Sequence, residues 1–311
     1  LVAATVFYFP GGLLTYPIAL AGAAVMVVPA LLMVSTIKFQ SFKTFDLKMR
    51  RGYREELYNN KLTPPAPLVP RDRRLPVKER IDASGAVVLA LDPQSLADAV
   101  DALVAEQVQA VAICFMHSHA NAEHEQLAKA MVRERLPGAY LTVSSELLPQ
   151  ARFYERLSTA ALNSYVGPIL KRYLESLQSN LARIGFKGVL LIMQSNGGVA
   201  TPQSTASTAV MTLLSGPAGG PVAGLVFTGV QGYDQCITVD MGGTSFDASV
   251  VQRGVPLLRS EGWIARQRLA LPMLDIHTIG AGGGSIGWID DGGLLRMGPQ
   301  SAGAQPGPAC Y

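Results

Sequence analysis

The sequence lacks what disulfide-stapled folds are built from. It has three cysteines, Cys114, Cys236 and Cys310, and no two are spaced as Cys-x-x-Cys. Cys114 and Cys236 stand inside apolar runs and read as buried thiols. An odd number without a framework excludes a disulfide scaffold and points to a reducing compartment, the cytoplasm. Charge of one sign is also scarce. The net charge is +3, too small to argue for a nucleic-acid partner. The basic excess is local, between Lys48 and Arg80. Acids are mixed through it, so it reads as a solvated connector face. No Gly-x-Ser-x-Gly surrounds Ser195 or Ser215, which argues against a serine nucleophile elbow. No charged residue precedes Lys38. With no initiating Met, basic n-region or small-residue cleavage site, a signal peptide is not expected.

What the sequence does contain is apolar residues, 49% of 311. That allows a sizeable core and two domains of ordinary size. The run at 11–35 is longer than the roughly 20 residues a membrane helix needs. Pro17 and Pro29 interrupt it, and Lys38 and Lys43 follow. Three readings stand: a span, a buried hairpin, or the product of a broken reading frame. Membrane attachment is expected only through this run.

The stretch 59–76 is proline-rich and polar and reads as an extended surface connector. From 86 to 147 the pattern runs strand (86–92), helix (93–109), strand (110–116), helix (121–136), strand (139–147). That alternation predicts a parallel α/β layer. The longest helical stretch, 154–185, should kink or split at Gly167-Pro168. After the strand at 110–116, "HSHANAEHE" (117–125) holds three of the four histidines. Asn121 as a helix cap, with Glu123 and Glu125 in the first turn, accounts for it without zinc.

"ITVDMGGTSFDASVV" (237–251) predicts a strand, a glycine turn and a returning strand. A phosphate loop of the Walker type needs a helix after its glycines; here a hairpin follows. Gly242 and Gly243 would let backbone N–H groups turn inward at φ values other residues avoid. Thr244 would add a hydroxyl donor. Asp240 and Asp247 would hold a divalent cation, directly or through water, that neutralises phosphates.

A second glycine loop, Gly280, Gly282, Gly283 and Gly284, follows Asp275 and His277. Its glycines would admit a ligand or another backbone. Asp-x-His serves a metal or an acid–base pair, or a plain structural histidine. "QSNGG" (194–198) and "SGPAGG" (215–220, with Gly216) are two more glycine turns at strand ends. Four such turns within one hundred residues point to one composite site.

These stretches, in this order, resemble the hydantoinase A/5-oxoprolinase family, which includes N-methylhydantoinases and acetone carboxylase β-type subunits. "PLVPRDRRLPVKERIDASG", "HANAEHE", "LIMQSNGG", "LLSGPAGGPVAG", "VDMGGTSFDASVV", "DIHTIGAGGGSI" and "GPQSAGAQPGPACY" carry the match. The resemblance implies an actin-like ATPase fold, as in sugar kinases and Hsp70, here incomplete at both ends. It implies ATP with Mg2+ or another divalent metal. It also implies a second large subunit of hydantoinase B type. Asp240, Gly242, Gly243, Thr244 and Asp247 inherit the phosphate and metal roles, with Asp240 and Asp247 as the candidate catalytic residues; Gly216, Gly282 and Gly283 are further candidate nucleotide contacts, and Asp275 and His277 candidate metal ligands. The implied activity is ATP-dependent opening of a hydantoin or 5-oxoproline ring through phosphorylation of the amide oxygen. One alternative is an ATP-dependent ketone carboxylase subunit. Another is a non-catalytic truncated or membrane-tethered remnant, because the family's first Asp-x-Gly-Gly-Thr-x-Thr-Asp hairpin has no counterpart in 1–45. The expected division is an apolar, non-family segment (1–45), a connector (46–80), an α/β layer of the family's N-terminal type (81–204), and the start of its nucleotide-binding domain (205–311).

Overall fold

A computed structural model describes residues 39–42, 67–264, 266–303 and 307. The apolar run at 11–35 therefore lies outside the described residues. Among those described, no helix is long and apolar enough to cross a membrane.

The first layer is a four-stranded parallel sheet. Its strands are β1 (Phe39–Phe42), β2 (Arg74–Leu75), β3 (Ala110–Ile113) and β4 (Tyr140–Val143), in the order β2-β1-β3-β4. Phe39 pairs with Ala110, and Ala110 with Tyr140. All four residues of β3 are buried, because helices cover both faces, as parallel sheets require. Helices α1 (Pro93–Ala105) and α2 (Glu123–Arg135) pack Leu96, Val100, Leu103, Ala128 and Val132 against Val111 and Ile113. Asp92 starts α1 by accepting from Gln94 N at 3.1 Å, with Pro93 at the first helical position.

Helix α3 (Phe153–Arg183) covers the other face. There Ala110 packs with Ala161 and Tyr165. The helix runs through Gly167-Pro168 without splitting, where the sequence led us to expect a kink or a break. Tertiary contacts on the turn before the proline hold it. Asn163 Nδ2 donates to Thr142 Oγ1 at 2.9 Å, its Oδ1 accepts from Val210 N at 2.9 Å, and Ser164 Oγ donates to Val111 O at 3.1 Å. Gly167 is needed for the approach: a Cβ there would sit 2.2 Å from the Tyr140 ring.

One expected strand is placed elsewhere. The run at 86–92 was expected to start the parallel layer, but Val87–Leu89 instead forms an antiparallel hairpin with Arg80–Ile81. Val87, Val88 and Leu89 are all exposed. The cause is the turn before them. Asp82 Oδ1 accepts from Ser84 N and Ala86 N, both at 2.9 Å, and Gly85 takes φ +89°. A tight turn of this kind folds the chain straight back.

The second region is antiparallel. After helix α4 (Gly219–Val230) come β5 (Cys236–Met241), β6 (Phe246–Gln252) and β7 (Ile276–Ile279). Strand β6 is central, with β5 on one side and β7 on the other. Helix α4 lies on one face through Gly224, whose Cβ would stand 2.2 Å from Thr238 Cγ2. On the other face, Ile237, Val239 and Met241 are 72%, 56% and 58% exposed, so the described residues leave that face uncovered. Two further strands, β8 (Ser285–Ile289) and β9 (Leu295–Ser301), pair with each other.

Candidate functional site

The expected β-loop-β unit is present, and its register defines the site. Asp240 pairs with Asp247 across β5 and β6. On the far side of β6, Thr278 pairs with Asp247 and His277 with Ala248. Directly paired residues share a face of a sheet, and successive residues alternate between faces. Asp240, Asp247 and Thr278 thus stand in a row on one face, with Cβ atoms of neighbours about 4.5–5.5 Å apart.

The two aspartates differ in their surroundings. Asp247 is half-buried and both its oxygens accept hydrogen bonds: Oδ2 from Ser245 Oγ at 3.1 Å, and Oδ1 from Thr278 Oγ1. Asp240 is exposed and has no hydrogen-bond or ion-pair partner among the described residues. Like charges placed opposite each other are unfavourable. A cation beside Asp240 would relieve that repulsion.

At the tip, Gly242 N donates to Ser245 O at 3.0 Å and closes a two-residue turn on Gly243-Thr244. The second glycine loop docks on this turn with its backbone. Gly282 N donates to Thr244 O at 3.3 Å, Gly283 N to Gly242 O at 2.9 Å, and Gly284 N to Gly243 O at 2.7 Å. The carbonyls of the first loop are therefore taken. The N–H groups of Gly243 and Thr244 find no acceptor among the described residues. What remains is a small donor array, with the Thr244 side chain exposed beside it, of the kind that receives an anion.

The reason expected for the first loop's glycines is corrected. Neither Gly242 nor Gly243 lies in the left-handed region, since both are missing from the positive-φ glycines of the described chain. A Cβ on either would meet nothing within 4 Å. Nothing in the fold demands glycine there; open space above the loop is what glycine preserves. Gly282 is the reverse case. Its Cβ would sit 2.6 Å from Ser245 N and from Thr244 backbone atoms, and one on Gly284 would sit 2.9 Å from Gly243 O. Those glycines admit another backbone, one of the two uses the sequence offered for them. Gly283 has only Gly242 O within reach, at 3.7 Å.

The other two glycine turns converge through Leu274. Ser195 N donates to Met211 O at 2.7 Å, and Leu274 N to Ser195 O at 2.8 Å. Gly197, at φ +83°, packs against Leu274 and Val222. Gly216 is exposed, with nothing near its Cβ position, three residues before α4. From Leu274 the chain enters β7 and then the second glycine loop, so a single strand links all four turns.

Asp275 and His277 are not brought to the aspartate pair. Asp275 ion-pairs with Arg259, whose guanidinium also donates to Ile276 O at 3.2 Å. His277 is exposed opposite Ala248. Both border a groove of about 420 Å³ with Ala248, Val250 and Leu257, on the face away from Asp240 and Asp247. The period-two alternation of β7 causes the separation: His277 and Thr278 must point to opposite faces. Among the described residues, no group of three or more His, Cys, Asp or Glu is placed to hold a metal ion.

In the histidine-rich segment, Asn121, His124 and Glu125 hold the fold. Asn121 Oδ1 accepts from Glu123 N at 3.0 Å, at the start of α2. His124 Nδ1 lies 2.8 Å from Glu79 Oε2, both buried. Burial pushes the Glu79 carboxyl up, and the hydrogen bond from His124 partly offsets this. Glu125 accepts from Phe115 N, Ser144 Oγ and Ser145 N. Thr278 and Ser245, which hold Asp247, were not singled out from sequence. Both carry hydroxyls, but only the register of β6 and β7 makes Thr278 a neighbour of Asp247.

Two family models match the chain: the hydantoinase/oxoprolinase N-terminal region over residues 33–136, and hydantoinase/oxoprolinase over 156–311. Among curated proteins, the chain is 42% identical over 267 residues to caprolactamase subunit alpha of Pseudomonas jessenii, covering 85% of this chain and 38% of that one. A crystal structure of ATP-dependent caprolactamase from the same organism superposes with TM-score 0.81 at 39% identity, over 92% of this chain and 42% of that one. The nucleotide-free structure of acetone carboxylase, from work on ATP-dependent acetone carboxylation, gives TM-score 0.70 at 26% identity, over 88% and 41%. The chain thus spans about two-fifths of the length of these relatives.

Proposed function

The chain belongs to the hydantoinase/oxoprolinase family, and from that premise we propose that it forms part of the nucleotide-binding unit of an ATP-dependent cyclic-amide hydrolase. The reading takes the glycine hairpin as one phosphate grip of an actin-like ATPase fold. The observation that carries it is the tip of β5–β6. Two backbone N–H groups and a threonine hydroxyl stand without acceptors, beside a carboxylate without a counter-charge.

In this reading Gly243 N–H, Thr244 N–H and Thr244 Oγ1 donate to phosphate oxygens. Asp240 binds the divalent cation, Mg2+, directly or through water. ATP supplies a phosphoryl group for the amide oxygen, which makes the ring carbon electrophilic and the ring easier to open. The protein's part is positioning and charge stabilisation, which dominate phosphoryl transfer. Open space over Gly242 and Gly243 lets the phosphates reach the backbone. Asp275 and His277, on the other face, are left outside this grip.

Ring opening of a lactam, hydantoin or oxoproline is favoured over ketone carboxylation, because identity to the caprolactamase structure is 39% and to acetone carboxylase 26%. A partner subunit fits the naming of a relative as subunit alpha, and in this reading it is a second large subunit of hydantoinase B type.

Titration calorimetry of the full chain with ATP and Mg2+ tests the reading. Saturable binding is expected, and Asp240→Asn should weaken it about tenfold to a hundredfold, as for loss of one charge-assisted contact, with little change in melting temperature. Absence of binding by the unaltered chain would favour the non-catalytic reading.

A further inference from the structure

We infer that Thr278 is a positioning residue of this grip, and that the two aspartates divide the work, Asp247 being held in place while Asp240 meets the cation. The inference rests on the phosphate-grip reading and deepens it. Three observations carry it. Thr278 pairs with Asp247 across β6 and β7, and Asp240 pairs with Asp247 across β5 and β6, so the three form one row. Both Asp247 oxygens are engaged by hydroxyls from two different places: Ser245 in the first glycine turn, and Thr278 one residue before Ile279, where β7 ends and the second glycine loop begins. Asp240, in the same row, is engaged by nothing described.

The chemistry follows from the lone pairs. A carboxylate that accepts on each oxygen has a fixed plane and fewer free acceptor sites. It is suited to fixing the field at the site, or to orienting a cation-bound water. A carboxylate with all its acceptor sites free and facing solvent is suited to direct coordination, for which Mg2+ commonly recruits only one or two carboxylates. Through Asp247, Thr278 on β7 is also linked to Ser245 in the first glycine turn, while Gly282, Gly283 and Gly284 join the two loops through backbone. Its hydroxyl sets the orientation of Asp247 relative to the donor array without itself touching the ligand.

Thr278 is exposed on a strand, so removing its hydroxyl should not unfold the protein. Thr278→Val keeps the shape and β-branching and deletes the donor, while Thr278→Ser restores it. Affinity for ATP with Mg2+ is measured by calorimetry, and melting temperature in parallel. Thr278→Val is expected to weaken binding about five- to tenfold at unchanged melting temperature, with Thr278→Ser close to the unaltered chain. Equal affinity for Thr278→Val and the unaltered chain overturns the inference. So does an equal loss for Val and Ser. If Asp240→Asn weakens binding while Thr278→Val does not, only the positioning role falls. If neither substitution changes affinity, the phosphate-grip reading falls, and this inference with it.

Discussion

The parallel layer and the glycine hairpin handle their polar groups in opposite ways. In the layer, the large buried polar groups largely find partners inside the protein. Arg156, fully buried, donates to Phe115 O at 2.5 Å, Gln150 O at 2.8 Å and Ser144 Oγ at 3.0 Å. Glu125, also fully buried, accepts from two backbone N–H groups and a hydroxyl. The need for glycine at Gly167 is explained by the Tyr140 ring. In the hairpin, Asp240 and the N–H groups of Gly243 and Thr244 have no partner among the described residues, and no contact explains Gly242 or Gly243. Burying a polar group without a partner is costly, so a fold satisfies what it buries. Groups left unsatisfied in a turn rich in glycine are groups the fold does not use. The contrast separates residues that hold the chain together from residues placed for something outside it.

The sharpest way to break this contrast is to remove a satisfied group from the layer. Arg156→Leu deletes three donations and leaves the buried Phe115 carbonyl, the Gln150 carbonyl and Ser144 Oγ, which itself donates to Glu125, without their donor. A loss of about 3–5 kcal/mol is expected, the range for breaking one side of a buried charged network. The denaturant midpoint measures it. An Arg156→Leu protein with an unchanged midpoint would show that the layer's polar network is as dispensable to folding as Asp240 is held to be.

A smaller effect separates two kinds of glycine. Gly282→Ala places a Cβ 2.6 Å from backbone atoms of Thr244 and Ser245, and backbone cannot swing aside. About 1–3 kcal/mol of stability should be lost, as in overpacking. Gly243→Ala enters open space at an ordinary φ and should change stability by no more than about 0.5 kcal/mol. It should nonetheless weaken binding of ATP with Mg2+, because the methyl stands where phosphate would approach. Equal stability losses for the two variants would mean that the loop glycines serve folding alone.

The same division explains what the sequence could disclose. Strong local patterns were legible: the amphipathic helices at 93–105 and 123–135, the buried run of β3, and the β-loop-β unit that places Asp240 and Asp247 on facing arms. Pairings set at long range were not. The run Val87–Leu89 reads like a sheet strand, yet the Asp82 turn diverts it, and β1, nearly fifty residues earlier in the chain, occupies the place beside β3. Asp275 and His277 looked like candidates because they stand two apart on one strand, which puts them on one face. Which face that is depends on the register of β7 against β6, and no local signal fixes it. Thr278, a single residue away, falls on the aspartate face for the same reason. The expected role of positive φ at Gly242 and Gly243 failed because composition shows where glycine occurs and not whether backbone angle or open space requires it.

The last comparison uses the two described thiols. Cys114 is fully buried at the end of β3, and burial, reinforced by the charge of Glu125, pushes its thiol up to about 12. The thiolate is the reactive form, and a pKa near 12 leaves roughly one Cys114 in ten thousand ionised at pH 8. Because the unfolded thiol ionises near 9.0 and the folded one only near 12, ionisation opposes the folded state progressively as pH rises from about 9 to 12, and at pH 8 Cys114 stays neutral so that its labelling reports opening of the layer. Cys236 is half-buried at the start of β5, in the region whose other face is uncovered. In a Cys310→Ser background, an alkylating reagent at pH 8 should label Cys236 in the native protein. Cys114 should react only once denaturant reaches the unfolding transition. The labelled site is read by peptide mass, and Arg156→Leu should bring Cys114 labelling forward to lower denaturant while leaving Cys236 unchanged. Native-state labelling of Cys114 at the rate of Cys236 would mean that the parallel layer opens as readily as the hairpin region, and the contrast between a closed scaffold and an open site would fail at its scaffold end.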